Sequence, residues 1–366
     1  MLQYILSFII LISVVVFIHE YGHYYFAKKY KVGVTDFSIG FGKELIGFND
    51  KDGTRWKICA IPLGGYVKFF GDSNSASQPV SLSKIDSKDH DKLLTTKPLY
   101  QRAIIVSAGP IANFILAIFI FATIFMTVGK DVTVPIIAEV QKDSPAYKAG
   151  LKSNDQIIYI DDKKIESIND VALFITTSSN DNVKVEVVRN QQPLSFLVTP
   201  EKKITKDNFG NNIERKLIGI KISPLKGTME RERLGPANAL VLSVKETYNT
   251  ISMTLSYIGK MIAGKESTDQ LGGPIKIAQI SGQVAEHGLV PFLSIMAYIS
   301  ISLGLINLFP IPLLDGGHLF FYFIEFLRGK PLSENVQIYF YKFGMAALLT
   351  LMVFATFNDL KSLGLF

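Results

Sequence analysis

"FIHEYGHYYF", Phe17 to Phe26, closes a stretch with no charged side chain between Met1 and Ile18. Two histidines and a glutamate thus sit at the end of what reads as a membrane span, where ionisable groups are costly. On a helix, His19 and His23 share one face, separated by about 6 Å along the axis. Two imidazoles so placed can hold one metal ion. Glu20, beside the first, can take a proton from an attacking water without ligating the metal. This is the HExxH arrangement of zinc hydrolases. Zinc polarises a carbonyl and brings the pKa of water toward about 7, and the glutamate serves as general base.

The rest of the chain agrees with a membrane setting. Of 366 residues, 48% are hydrophobic, and long charge-free stretches alternate with ordinary polar ones. Four spans are expected: 2–27, 103–128, 289–314 and 336–357, the last built around "FGMAALLTLMVFATF". The first lacks a basic leader and a small-residue cleavage site, so it reads as a retained span. The net charge of +6 does not point to nucleic acid, because Lys and Arg flank the apolar runs, where they suit anionic lipid and fix topology. Lys28, Lys29 and Lys31 after the first span, and Arg328 and Lys330 after the third, read as cytoplasmic. Residues 29–101 are then inside and 130–288 outside. Cys59 is the single cysteine, which excludes an internal disulfide and a cysteine zinc site.

Residues 130–224 read as a β-rich module. "VKVEVV" alternates as a half-buried strand, "LSFLVTP" follows as its hairpin partner, and Gly150 suits a helix C-cap. "SPAYKAGLKSNDQIIYID" resembles a bacterial, permuted PDZ domain, which implies capture of a peptide or C-terminus by strand addition, with "KLIGIKI" and Gly219 as the edge segment. Residues 225–288 read as an amphipathic helical linker, in which "ANALVLSVKETYNTISMTLSYIGKMIAG" carries apolar side chains at helical spacing and reads as an amphipathic helix.

A catalytic zinc needs a third protein ligand and an open position. No histidine follows in the HExxHxxGxxH pattern. Glu44 lies at a suitable distance, beyond the cationic "KKYK", in what reads as a Gly-rich loop. The better candidate is Asp315 in "NLFPIPLLDGGH", an ionisable group at the end of another charge-free run, with Pro310 and Pro312 breaking the helix before it. His318, three residues on, is left out, since a fourth ligand would close the water position.

HEYGH, "SAGPIANF" (Ser107–Phe114), the PDZ-like module, "LGGPI" (Leu271–Ile275) and "NLFPIPLLDGG", in this order, together resemble the site-2 protease family, in its bacterial inner-membrane branch. The resemblance implies a polytopic α-helical membrane protein with four transmembrane helices, an inserted PDZ-like domain and a membrane-associated β-hairpin. It implies Zn2+ held by His19, His23 and Asp315, with Glu20 as base and Asn307 holding substrate backbone or the oxyanion. Gly109 and Asn113 match a GPxxN motif, read as close helix packing. Residues 55–71 match the hairpin, and Gly64, Gly65, Tyr66 and Val67 would hold an unwound substrate by β-addition. Expected substrates are single-span proteins already shorn of their ectodomain, such as an anti-sigma factor, or remnant signal peptides. The one PDZ-like module departs from relatives with two. The rival class is a PDZ-bearing membrane adaptor without catalysis, which would need no metal set. A metal transporter would need ionisable residues on more spans.

Overall fold

The structure, a computed structural model, describes residues 2–72, 86–178, 181–206, 212–225, 229–264 and 272–362. It divides into two compact units, Met1–Phe121 with Leu242–Phe366, and Ala122–Val241.

In the first unit, α1 (Leu2–Lys29) has no glycine before Gly22 and ends in Lys28 and Lys29, which complement the negative end of its dipole. α2 (Leu99–Thr127) holds Pro110 in its interior. Between them run β1 (Val34–Asn49) and β2 (Arg55–Phe69). Positive φ at Gly40 (88°) and Gly42 (85°) bends β1 into two arms. The arm Asp36–Ile39 pairs on one side with Arg55–Ile58 and on the other with Gly65–Lys68, while Ile46–Asn49 pairs with Arg55–Ile58 from beyond. The stretch 55–71 therefore doubles back around the arm Asp36–Ile39, its two ends flanking that arm in opposite directions rather than pairing with each other, and its partner is the segment read from sequence as a loop. Asp50 anchors the tip. Its carboxylate accepts from Tyr24 Oη (2.9 Å), Trp56 Nε1 (3.0 Å) and the Thr54 amide (2.8 Å). Burial pushes this carboxyl up, but the donors outweigh it and hold it at about 2.

The second unit carries the short strand β3 (Lys130–Asp131), then β4 (Pro135–Val140), α3 (Pro145–Ala149), β5 (Gln156–Ile160), β6 (Lys163–Lys164) and α4 (Ile168–Thr177). It continues through β7 (Val183–Arg189), β8 (Gln192–Val198), β9 (Glu201–Lys206), β10 (Asn212–Leu217), β11 (Ile220–Pro224) and β12 (Arg231–Glu232). The main sheet has the order β11-β4-β5-β7-β8, with β6 beside β5, so β11 lies at an edge. Val183, Val185 and Val187 alternate inward and are fully buried with Ile137, Ile157 and Ile160. Each such side chain contributes about 1.5–3 kcal/mol. Ser144 caps α3, and Gly150 ends it at φ 92°. Asp155, wholly buried, receives Arg189 Nε and Nη2 at 2.7 Å each and the Lys152 amide at 2.8 Å. β12 pairs with β3, which brings the way in and the way out of this unit side by side.

The helical linker expected over 225–288 holds α5 (Pro236–Ile262), which begins in the second unit, and α6 (Pro274–Glu286). α7 (Leu289–Asn307), α8 (Asp315–Arg328) and α9 (Glu334–Ser362) follow. Among the described residues, four helices are long and apolar enough to cross a membrane: Leu2–Lys29, Leu99–Thr127, Leu289–Asn307 and Asn335–Lys361. The third departs from expectation. Its helix ends at Asn307, before either proline, and the apolar run continues to Leu314 as non-helical backbone, with Leu313 at φ 84°. Gly316 and Gly317 let α8 fold back tightly on this stretch, because a Cβ there would lie 2.2 Å from the Phe309 carbonyl and 2.5 Å from that of Ile311. "LGGPI" proves to be a capping motif. Asp359 of α9 accepts from the amides of Gly273 (2.8 Å), Ile275 (3.0 Å) and Lys276 (3.1 Å), which closes the start of α6; Leu271 lies outside the described residues.

Candidate active site

Helical spacing on α1 stacks His19 above His23, and both are buried together with Glu20. The start of α8 brings Asp315 against them. His19 Nε2 stands 3.3 Å from His23 Nε2 and 3.2 Å from Asp315 Oδ2, and His23 Nε2 stands 3.4 Å from the same oxygen. Three potential donor atoms thus form a nearly equilateral triangle. Ligands about 2.0–2.1 Å from a tetrahedral zinc lie roughly 3.3 Å from one another, so the triangle has the size of one face of a zinc site. Asp315 Oδ2 is also buried without a hydrogen-bond partner. A buried oxygen left open in this way, facing two imidazole nitrogens, fits a cation. Among the described residues, His19, His23 and Asp315 are the group of His, Cys, Asp and Glu side chains close enough together to hold an ion.

The neighbouring α2 holds these ligands. His23 Nδ1 lies 2.9 Å from the Ile105 carbonyl. A carbonyl can only accept, so Nδ1 carries the proton and Nε2 keeps its lone pair for a metal. The imidazole fits because residue 109 is glycine, where a Cβ would stand 2.2 Å from His23 Nε2. Gly22 lets the two helices approach, since a Cβ there would lie 2.4 Å from the Ala108 carbonyl. The Asn113 amide nitrogen lies 3.3 Å from His19 Nδ1, and Ser300 Oγ of α7 donates to the Asn113 carbonyl at 2.8 Å. Gly109 and Asn113 were legible as a packing motif. Their contact with both histidines was signalled only by their four-residue spacing on one helical face.

A cavity of about 1260 Å³ opens on this triangle. Glu20, Asn307 and the strand segment Gly64–Val67 line it. At Gly65 a Cβ would lie 3.2 Å from Glu20 Cγ, and the Val67 amide interacts with the Glu20 carboxylate, so the backbone of β2 runs directly past the expected base. Asn307 is the last residue of α7 and is half-buried. His318 lines the same cavity but stands outside the triangle. Glu44 is not in a loop. It lies on β1, paired with Arg55, and takes no part in the triangle. Sequence reading missed the Arg102–Glu325 ion pair, closed at 3.0 Å between Nη1 and Oε2, which joins α2 to α8 at the cavity wall. Its partners are more than two hundred positions apart, and each resembles an ordinary residue flanking an apolar run.

The family model described as peptidase family M50 matches residues 7–351. A provisionally named zinc metalloprotease of Agrobacterium fabrum is 44% identical over 362 residues, covering 98% of this chain and 96% of its own. Another with the same provisional name, from Rhizobium meliloti, is 40% identical over 363 residues, covering 98% and 97%. The metalloprotease MmpA of Caulobacter vibrioides is 34% identical over 386 residues, covering 99% and 96%. With its spanning helices and its match over almost the whole length, the chain belongs to peptidase family M50, the multi-pass site-2 family of zinc metalloproteases.

Proposed function

We propose that this protein is an intramembrane endopeptidase that cuts single-span membrane proteins within the bilayer, after a first protease has removed the ectodomain. The observation that carries this reading is one cavity lined by an open ligand triangle, a carboxylate and a strand backbone. When bound, zinc supplies Lewis acidity toward the scissile carbonyl and makes water a nucleophile near neutral pH. Glu20 accepts the proton of the attacking water and passes it to the leaving nitrogen. Asn307 donates its amide to substrate backbone or to the developing oxyanion, without titrating. A helical substrate must unwind before its carbonyls can be attacked, and unwound backbone in lipid needs new partners. Gly64, Gly65, Tyr66 and Val67 offer them as a strand edge beside Glu20.

The setting follows from charge and exposed apolar surface. Lys28 and Lys29 end α1, and Arg328 ends α8, which favours a cytoplasmic side for both ends and for the active site. Leu45, Ile46, Phe48 and Ile58 on the paired strands are exposed, as suits a β element in contact with lipid. The cell inner membrane is the location this reading assigns. The second unit is read as a PDZ-like extracytoplasmic domain, because β11 is an edge strand preceded by Gly219 at φ 78°. It would capture a peptide or C-terminus by strand addition. Anti-sigma factors and remnant signal peptides are the substrate classes that fit.

The test uses purified protein in detergent or vesicles with a model single-span substrate. Cleavage inside the span, abolished by a chelator and restored by zinc, is expected. Glu20→Gln should keep zinc and lose roughly 10²–10⁴-fold in rate. Binding of the substrate without cleavage in the zinc-loaded wild type would favour the adaptor instead.

A further inference from the structure

The buried amide of Asn113 has a task that the packing role of GPxxN leaves unexplained. Asn113 is wholly buried on α2, its backbone carbonyl is pinned by Ser300, and its side chain reaches the ring nitrogen of His19 that faces away from the ligand triangle. The two histidines of the triangle are supported differently. His23 Nδ1 meets a backbone carbonyl, which fixes its tautomer. His19 Nδ1 meets an amide, which can either donate or accept. With the amide nitrogen donating, His19 Nδ1 would be the unprotonated atom, and Nε2 would carry a hydrogen into the triangle, where a metal needs a lone pair. Asn113 Oδ1, meanwhile, is buried without a hydrogen-bond partner. The two ends of an amide are nearly the same size and shape, and exchanging them turns Oδ1 toward His19. Oδ1 then gains the partner it lacks, Nδ2 takes the place that Oδ1 held, and His19 gains the acceptor that its ligating tautomer requires.

We propose that Asn113 is a positioning residue of the metal site, whose side-chain carbonyl accepts the Nδ1–H of His19 and thereby keeps Nε2 free for zinc. The GPxxN segment is then the outer shell of both imidazoles, with the Ile105 carbonyl one turn before it serving His23 and Asn113 serving His19. Partners of this kind orient metal-bound histidines and raise their basicity, and their loss typically costs 10–100-fold in metal affinity. The inference rests on the triangle being a zinc site.

The experiment measures zinc affinity by chelator competition in the full-length, detergent-solubilised protein, with helicity and melting followed alongside. Asn113→Asp offers an acceptor and no amide donor, and it should bind zinc within about threefold of wild type or more tightly. Asn113→Leu offers neither and should bind about 10–100-fold more weakly. In zinc-loaded wild type, imidazole ¹⁵N spectra should show His19 Nδ1 protonated. An aspartate variant as weak as a folded leucine variant, or a leucine variant with wild-type affinity, would overturn the proposal. If the leucine variant does not fold, an unprotonated His19 Nδ1 in the zinc-loaded wild type overturns it. A wild-type protein that takes up no zinc would overturn the metal site itself, a different result from tight binding that ignores Asn113.

Discussion

Asp155 and Asp315 are acids withdrawn from water in different units, and they are treated in opposite ways. In the β-rich unit, both oxygens of Asp155 are filled, by a bidentate Arg189 and by the Lys152 amide. In the membrane unit, Asp315 Oδ2 has no donor and faces two imidazole nitrogens 3.2 and 3.4 Å away. A saturated buried carboxylate ties elements together. An open one, with other lone pairs converging on it, is a ligand waiting for charge. Burial alone does not separate the two roles; the donor count does.

The largest effect that tests this contrast is expected at Asp315. Asp315→Asn should empty the zinc site, measured by atomic absorption, and lower cleavage on the order of 10³-fold or more, since the electrophilic contribution of the metal is worth several kcal/mol. Full zinc occupancy in that variant would remove Asp315 from the ligand set. Asp155→Ala should do the reverse. It removes the counter-ion of the partly exposed Arg189 guanidinium and should destabilise the β-rich unit by about 1–3 kcal/mol, seen as faster amide exchange there, with zinc content unchanged. Loss of zinc in this variant would break the division of labour between the two acids. A smaller effect is expected at the strand edge. Val67→Pro deletes the amide beside Glu20 and should slow cleavage of a helical substrate about tenfold while zinc stays bound. Unchanged turnover would leave that edge as ordinary structure. Smallest of all is Glu44→Gln. It loses a half-exposed pair with Arg55 worth about 0–1 kcal/mol and should alter neither zinc content nor cleavage measurably.

The site was more legible than the backbone that presents it. His19, Glu20 and His23 announce themselves because ionisable groups at helical spacing in an apolar run have few innocent explanations. Asp315 stands out for the same reason. What hydropathy could not convey is where the chain stops being helical. From Leu308 to Leu314 the side chains remain apolar, so the run reads as one span, yet the helix has already ended at Asn307. Arm formation in β1 was hidden in a different way. "GFGKELIGFND" has the glycines and charges of a loop, and those glycines bend a strand, an outcome set by pairing with the distant residues 55–59. Asp359 was invisible as a cap for α6, since nothing in either segment names its partner.

The pairing of β3 with β12, and the bond from the Leu234 amide to the Phe125 carbonyl at 3.1 Å, clamp the neck of the inserted unit. Topologically, everything beyond that neck is a closed lobe on the thread, and the entropic cost of such a lobe rises only with the logarithm of its length. The lobe can therefore be lengthened, duplicated or exchanged as a cassette while the histidine helix and the aspartate at the far end of the chain stay untouched. A deletion joining the chain at this neck is the minimal edit, and it leaves the metal-binding sequence whole.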